Sequence, residues 1–206
     1  MSLAAPKIRY LGLTDYEPVW RQMKSFTDCR DEQTADELWV TQHRPVYTQG
    51  LNGKAEHLLD TRDIPVVQVD RGGQVTYHGP GQLVVYCLLD LNRLGTGVRS
   101  LVTAIEQAII ELLRQYGIDS VARSDAPGVY VDNAKIAALG LRIRKGRSYH
   151  GLSLNMDMDL SPFYGINPCG YQKLRVTQLA DLGVDVDADR ITRQLCDELI
   201  RSIGYS

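Results

Sequence analysis

The sequence lacks any apolar run approaching the roughly 20 residues that a membrane-spanning helix needs. Its first ten residues include Pro6, Lys7 and Arg9 but no apolar block of signal-peptide type. Both absences point to a cytoplasmic protein with no membrane partner. There is no basic excess either. Lys and Arg number 23 against 25 Asp and Glu, for a net charge of −2, whereas a nucleic-acid binder usually carries the opposite balance. The four cysteines, Cys29, Cys87, Cys169 and Cys196, lie far apart with no C-x-x-C pair. That removes the common metal-ligand spacings, and a reducing compartment argues against disulfides. The four histidines, His43, His57, His78 and His150, are scattered as well. Internal repeats, low-complexity tracts and linkers are missing, so no metal or cofactor is expected and one domain over residues 1–206 is.

What is present is an ordinary globular composition, 44% apolar and 23% charged. Thr14 with Glu17 three residues on has the form of a capping box, so the first helix is expected to begin there. Tyr16, Val19, Trp20, Met23 and Phe26 follow at helical spacing. A second helix is predicted from about Ser100, with Leu101, Ile105, Ala108, Ile109, Leu112, Leu113 and Tyr116 as its apolar stripe and Gly117 as its stop. A third carries Ile191, Leu195, Leu199 and Ile203 and ends at Gly204. Strand-like runs occupy 37–42, 65–70, 83–90, 128–131, 136–144 and 148–155. The run 83–90 is almost wholly apolar, as a strand buried on both faces would be. The last two runs flank Lys145-Gly146 and form a hairpin. Strands predominating between helices, with antiparallel pairing, favour α+β over a doubly wound parallel sheet.

Gly and Pro concentrate at 71–82 and 161–170. Residues 71–82 read Arg71-Gly72-Gly73-Gln74-Val75-Thr76-Tyr77-His78-Gly79-Pro80-Gly81-Gln82. Its four glycines allow sharp bends and close approach to a ligand. The stretch has neither the phosphate-loop pattern nor a helix after it, as a dinucleotide fingerprint requires. It suits a long hairpin connection or a loop lining a substrate site. In the run Lys135-Ile136-Ala137-Ala138-Leu139-Gly140, pattern alone makes Lys135 an edge lysine pointing into water. The small residues beside it would let a ligand lie against the backbone. Cys169 stands in Asn167-Pro168-Cys169-Gly170, on a turn rather than in a buried stripe. Cys87 and Cys196 fit the inert, buried role of most cysteines, and Cys29 has no reactive context.

With Arg71-Gly72-Gly73 and Tyr77-His78 the chain resembles the lipoate- and biotin-protein ligase superfamily. Within it, the string through Gln82, then Gly128-Val129-Tyr130-Val131, Lys135 to Gly140, Tyr149-His150-Gly151-Leu152-Ser153-Leu154-Asn155 and Ile166 to Gly170 occur in the order and spacing of the octanoyltransferases of lipoic acid synthesis, the LipB family. The resemblance covers most of the chain, from Tyr47-Thr48-Gln49-Gly50 onward. It implies a class II aminoacyl-tRNA synthetase/biotinyl protein ligase-like α/β fold, a larger mixed sheet plus a smaller sheet packed by helices. It implies that Cys169 is the acyl-accepting nucleophile and Lys135 its partner. A thiol reacts as thiolate, and a nearby ammonium favours that form. Burial lowers a lysine's affinity for its proton, so the same group can shuttle one. The implied substrate-binding residues are Arg71, Gly72, Gly73, Gln74, Val75, Thr76, Tyr77, His78, Ala138, Leu139, Gly140, Gly151, Leu152 and Ser153. His150 ranks with His78 as ligand-contacting or structural.

The implied reaction takes the acyl group from octanoyl-acyl carrier protein to the lysine amine of lipoyl domains, those of 2-oxoacid dehydrogenase E2 subunits and the glycine cleavage H protein. The closed end of an apolar slot would set chain length. The basic cluster Arg142, Arg144, Lys145 and Arg147 is a solvated hairpin tip or a dock for an acidic carrier. Two other functions share the pattern. An ATP-dependent lipoate or biotin ligase would keep the glycine loop and Lys135 but need no thiol at Cys169. A non-catalytic acyl- or carrier-binding module would have no use for Lys135 and Cys169 together.

Overall fold

The computed structural model describes residues 4–167 and 174–205. The elements are β1 (Lys7–Thr14), α1 (Tyr16–Cys29), β2 (Glu37–His43), β3 (Val46–Gln49), β4 (Val66–Gln68), β5 (Val75–His78), β6 (Gln82–Leu88), α2 (Leu91–Leu94), α3 (Val98–Gln115), β7 (Val121–Ala122), β8 (Gly128–Val131), β9 (Ala134–Arg144), β10 (Arg147–Asn155) and α4 (Ala188–Ile203). One sheet runs β1-β2-β6-β10-β9-β8-β7 and a smaller one runs β4-β3-β5. In the large sheet β1 and β2 pair in parallel and the other neighbours are antiparallel. The small sheet is mixed in the same way. Among the described residues no helix is long and apolar enough to cross a membrane.

β6 shows why the large sheet lies at the centre. All seven of its residues are buried. Leu83, Val85 and Cys87 belong to the core shared with α3 and α4, while Val84, Tyr86 and Leu88 belong to the core shared with α1. Alternate side chains point to opposite faces, so a continuous apolar run is what a strand covered on both sides requires. The stripe of α3 is buried at Leu101, Ile105, Ala108, Ile109, Leu112 and Leu113. Beyond it Gly117 takes φ 71°, the left-handed stop that glycine accepts without strain. The β9–β10 hairpin turns on Lys145 and Gly146, at φ 50° and 74°, the two left-handed residues of a type I′ connection. Two arginines of its basic cluster are held internally. Arg144 pairs with Asp28 at 2.9 Å, and Arg147 with Asp90 and the Arg30 carbonyl.

Two expectations are corrected. Thr14 caps no helix: it ends β1, and its hydroxyl meets Thr41 Oγ1 at 2.9 Å and His43 Nδ1 at 3.2 Å. Asp15 stands at the helix N-cap without a side-chain bond. β1 gave no alternating pattern because it is an edge strand broken by a bulge between Tyr10 and Gly12. The stretch 71–82 is not one long loop either. β5 lies inside it, pairing with β3 and burying Val75 and Tyr77.

Asp36 ties the termini of several elements together. Its carboxylate accepts from Arg30 Nη2 at 2.6 Å, Arg93 Nη2 at 2.7 Å, the Asp90 backbone N–H at 2.8 Å and the Tyr205 hydroxyl at 2.6 Å. The Arg30 and Asp36 side chains are both buried. An Asp36→Ala variant leaves the Arg30 charge uncompensated, so it should lose about 3–5 kcal/mol of stability. Urea unfolding checks this as a lower midpoint at unchanged slope. A loss under about 1 kcal/mol would mean that water replaces the carboxylate.

Candidate active site

Cross-strand register lines up small residues on the large sheet. Tyr86 of β6 stands opposite Gly151 of β10, and Gly151 opposite Gly140 of β9. The next row reads Val84, Ser153, Ala138 and Gly128 of β8. The short side chains on β8, β9 and β10 leave a trough beside β6, which the glycine-rich segment roofs. A Cβ at Gly140 would come within 3.1 Å of both Arg71 Cδ and the Gly72 oxygen, so any side chain there would push the roof out by a few tenths of an ångström. A Cβ at Gly128 would lie 3.1 Å from Lys135 Cε. Under the roof lies a pocket whose space, counted out into its open mouth, is about 740 Å³.

Of the residues expected to bind substrate, Arg71, Gly73, Gln74, Val75, Thr76, His78, Ala138, Leu139, Gly140, Gly151, Leu152 and Ser153 line this pocket, and so does Lys135. Two do not. Gly72 donates its N–H to the Leu141 carbonyl at 2.9 Å, and Tyr77 packs on Tyr47 and Phe163. Sequence reasoning passed over Tyr16, Gln82, Val84, Tyr86, Asn155, Phe163 and Val176, which also line it. Asn155 closes a segment that had already been singled out. The two tyrosines carry no signal beyond membership of apolar stripes.

Lys135 is no edge lysine in water, being only 4% exposed. Its Nζ donates to the Pro127 carbonyl at 3.1 Å and lies 5.2 Å from the Tyr130 ring centre. Its backbone pairs both ways with the chain that follows, N–H to the Arg175 carbonyl at 2.8 Å and carbonyl from the Thr177 N–H at 3.0 Å. Glu106 of α3 reaches the Gly128 N–H at 3.0 Å. Burial raises the Glu106 carboxyl against the pull of that N–H and of the Lys135 ammonium. Cys169, with Pro168 and Gly170, lies outside the described residues. Phe163 before it and Val176 after it both line the pocket. The Cys87 and Cys196 thiols are pushed up to about 12 by burial, which keeps them inert. Cys29 is exposed at the end of α1. Among the described residues no three His, Cys, Asp or Glu side chains are grouped to hold a metal ion.

The roof is fastened by two neighbouring residues. Arg71 donates to the Thr48 carbonyl at 2.6 Å and to its hydroxyl at 2.9 Å. Asp70 accepts from Trp20 Nε1 at 2.9 Å, the Tyr149 hydroxyl at 2.5 Å and His150 Nε2 at 3.0 Å. Burial alone would raise the Asp70 carboxyl, but the His150, Tyr149 and Trp20 bonds hold it well below the usual carboxylate range.

Three neutral histidines stand at the pocket, His78 and His150 in its wall and His43 behind. His43 Nδ1 faces the Thr14 carbonyl at 3.3 Å, so that nitrogen carries the proton and Nε2 accepts from the Tyr86 hydroxyl at 2.6 Å. His78 Nδ1 donates to Gln82 Oε1 at 2.7 Å, while its Nε2 faces the Thr48 hydroxyl at 3.4 Å. His150 donates from Nε2 to Asp70 and presents Nδ1 to the Tyr16 hydroxyl at 3.5 Å. Burial drives His43 down to about 4 and His78 to about 3. His150 is lowered too, burial outweighing its Asp70 partner. The donor chain continues from Gln82 Nε2 to Asn155 Oδ1 at 2.9 Å and from Asn155 Nδ2 to the Thr177 carbonyl at 2.9 Å. One hydrogen-bonded line thus joins the roof to the strand-like segment beside Lys135.

The sequence model of the lipoyl protein ligase A/B catalytic domain matches residues 15–200. A curated octanoyltransferase of Vibrio vulnificus is 60% identical over 198 residues, covering 96% of this chain and 91% of its own. A bipartite lipoate protein ligase of Thermoplasma acidophilum superposes with a TM-score of 0.78 at 16% identity, over 98% of this chain and 85% of that one. A biotin protein ligase of Aquifex aeolicus does so at 0.60 and 14%, over 96% and 70%. The last two establish the fold, and it is the ligase-like α/β arrangement expected from the sequence.

His43 and His78 stay neutral in the fold, whereas in the unfolded chain a histidine protonates near pH 6.5. Between about 6.5 and 4 the unfolded chain therefore binds more protons, so stability is full above that window and falls as pH drops through it. The expected loss is about 2 kcal/mol per ring at pH 5, and Asp70 adds its own only below about pH 4. Chemical denaturation across pH 5–7 measures the slope. His43→Gln and His78→Gln variants should start less stable and lose one ring's share of it; a wild-type profile flat over that range contradicts the neutral network.

Proposed function

The chain belongs to the lipoyl protein ligase A/B catalytic-domain family, and from that premise we propose that it is an octanoyltransferase of protein lipoylation working through a Cys169 thioester. The observation that carries this is an apolar slot with the buried Lys135 in its wall, beside the chain on both sides of Cys169. The 60% identity to a curated octanoyltransferase supports the acyl group. The donor is octanoyl-acyl carrier protein. The acceptors are lipoyl domains, as on 2-oxoacid dehydrogenase E2 subunits and the glycine cleavage H protein, and the reaction is cytoplasmic.

The Cys169 thiolate attacks the carbonyl carbon of the donor thioester. The carbon–sulfur bond to the carrier breaks and the carrier leaves as its thiol. One thioester replaces another, so the step is nearly balanced. The acceptor lysine amine then attacks the acyl-enzyme, an amide forms, and the Cys169 sulfur is released. An amide is more stable than a thioester, so no ATP is consumed. Lys135 stabilises the thiolate as an ammonium and moves the proton as an amine. The oxyanion takes backbone N–H donors of the Cys169-Gly170 turn. The slot adds roughly 0.8 kcal/mol of apolar burial per methylene.

Incubation with octanoyl-carrier protein should give a hydroxylamine-labile octanoyl adduct by intact mass, without ATP. Cys169→Ser should abolish it, and Lys135→Ala should slow acylation by about a hundredfold or more. An adduct persisting on Cys169→Ser ends the thiol assignment, and transfer that requires ATP favours a ligase.

On the hairpin, Arg142 and Lys145 make no ion pair among the described residues, unlike Arg144 and Arg147. They are the basic side chains left for an acidic carrier. Raising salt from about 50 to 200 mM should lower kcat/KM for carrier-bound octanoate several-fold, and less so in an Arg142→Ala/Lys145→Ala variant. A salt-independent rate removes steering by this patch.

A further inference from the structure

We infer that Tyr16 and Tyr86 are the chain-length gauge of the slot: their rings close its far end, and their size fixes how many carbons fit. This rests on the slot being the acyl site. Lys135 lies against Gly128 of β8, at the end of the pocket where the reacting carbonyl belongs. From Lys135 on β9 the pocket wall crosses β10 to Tyr86 on β6. Two strand spacings make roughly 10 Å, the reach of an extended medium chain and short of a long one.

The far end is built as a stop. Tyr16 and Tyr86 are each 4% exposed. Tyr86 is fixed by its bond to His43 Nε2 at 2.6 Å. Tyr16 stacks on the His78 ring at 5.8 Å and meets the His43 ring edge-on at 5.1 Å. Rings packed on rings from α1, β2, β5 and β6 cannot yield to a longer chain without breaking these contacts. The hydroxyls face histidines, so the polar atoms of the wall are already partnered.

Tyr16→Leu and Tyr86→Leu each remove ring volume at this end, whereas Tyr86→Phe keeps it. The measurement is kcat/KM for octanoyl-, decanoyl- and dodecanoyl-carrier thioesters on each protein. Each Leu variant should raise the decanoyl-to-octanoyl ratio about tenfold, the worth of two methylenes, while Tyr86→Phe keeps the wild-type ratio. Because all chain lengths are read on the same preparation, partial unfolding of a variant cancels from the ratio. If wild type transfers octanoate and both Leu variants lose activity equally for every length, the gauge is overturned and the octanoyltransferase assignment stands. If wild type fails to transfer octanoate, the assignment itself falls, and the gauge with it.

Discussion

The Asp70 carboxylate accepts hydrogen bonds from Trp20 on α1 and from Tyr149 and His150 on β10. It therefore joins a helix, the central sheet and the start of the glycine-rich roof at one charged atom group. Arg71 follows it in the chain, and the Arg71 guanidinium is fastened to Thr48 of the small sheet. The height of the roof over the trough is set between these two anchors. A carboxylate so placed is costly to desolvate, and three donors offset that cost. Releasing it would free the roof and take from His150 the partner that favours its protonated form. The roof is rigid because a charge, rather than packing alone, holds it down.

His150 shows what this arrangement imposes on the backbone. Its φ of 60° is left-handed, a conformation a non-glycine residue inside a strand adopts only under constraint. Here the constraint is visible: the ring is gripped by Asp70 on one nitrogen and faces the Tyr16 hydroxyl with the other. Gly151 follows, where a Cβ would sit 2.1 Å from the Val85 carbonyl oxygen. The distortion at His150 and the bare backbone at Gly151 together bring β10 against β6 at the slot. The glycine answers to a close approach, the histidine to a hydrogen bond.

Elements with strong local periodicity were legible in the sequence. The stripe of α3, the doubly buried β6 and the β9–β10 hairpin follow from spacing and turn chemistry alone. β1 was not, because an exposed edge strand with a bulge leaves no alternation to read. β5 was hidden by the glycines and proline on either side of it. Within the site, residues of unusual type for their surroundings stood out, such as Lys135 in an apolar strand and the clustered glycines. Tyr16, Tyr86 and His43 did not, because an aromatic ring in a core stripe is the ordinary case. Their roles come from partners about 30 to 130 residues away, and no local pattern encodes such distance.

The slot is chemically lopsided, and the lopsidedness bears on where the reaction can occur. At the β6 end the wall is made of buried tyrosines and histidines that keep their protons fixed: the Tyr16 and Tyr86 hydroxyls are raised by burial and His43 and His78 are lowered by it. None of these groups exchanges a proton near neutral pH, so that end is inert as well as closed. At the other end stands Lys135 of β9, with Glu106 behind Gly128 and the chain on both sides of Cys169 alongside. Desolvation acts on both ends with the same physics. At the tyrosine end the groups pair with one another neutrally and are silenced, whereas at the other end the Lys135 ammonium pulls the Glu106 carboxyl toward its charged form against burial. On the proposed acyl reading, a saturated chain lies with its tail against the neutral wall and its carbonyl toward Lys135. On that reading the polar network behind the tail orients the substrate without touching the bond that breaks.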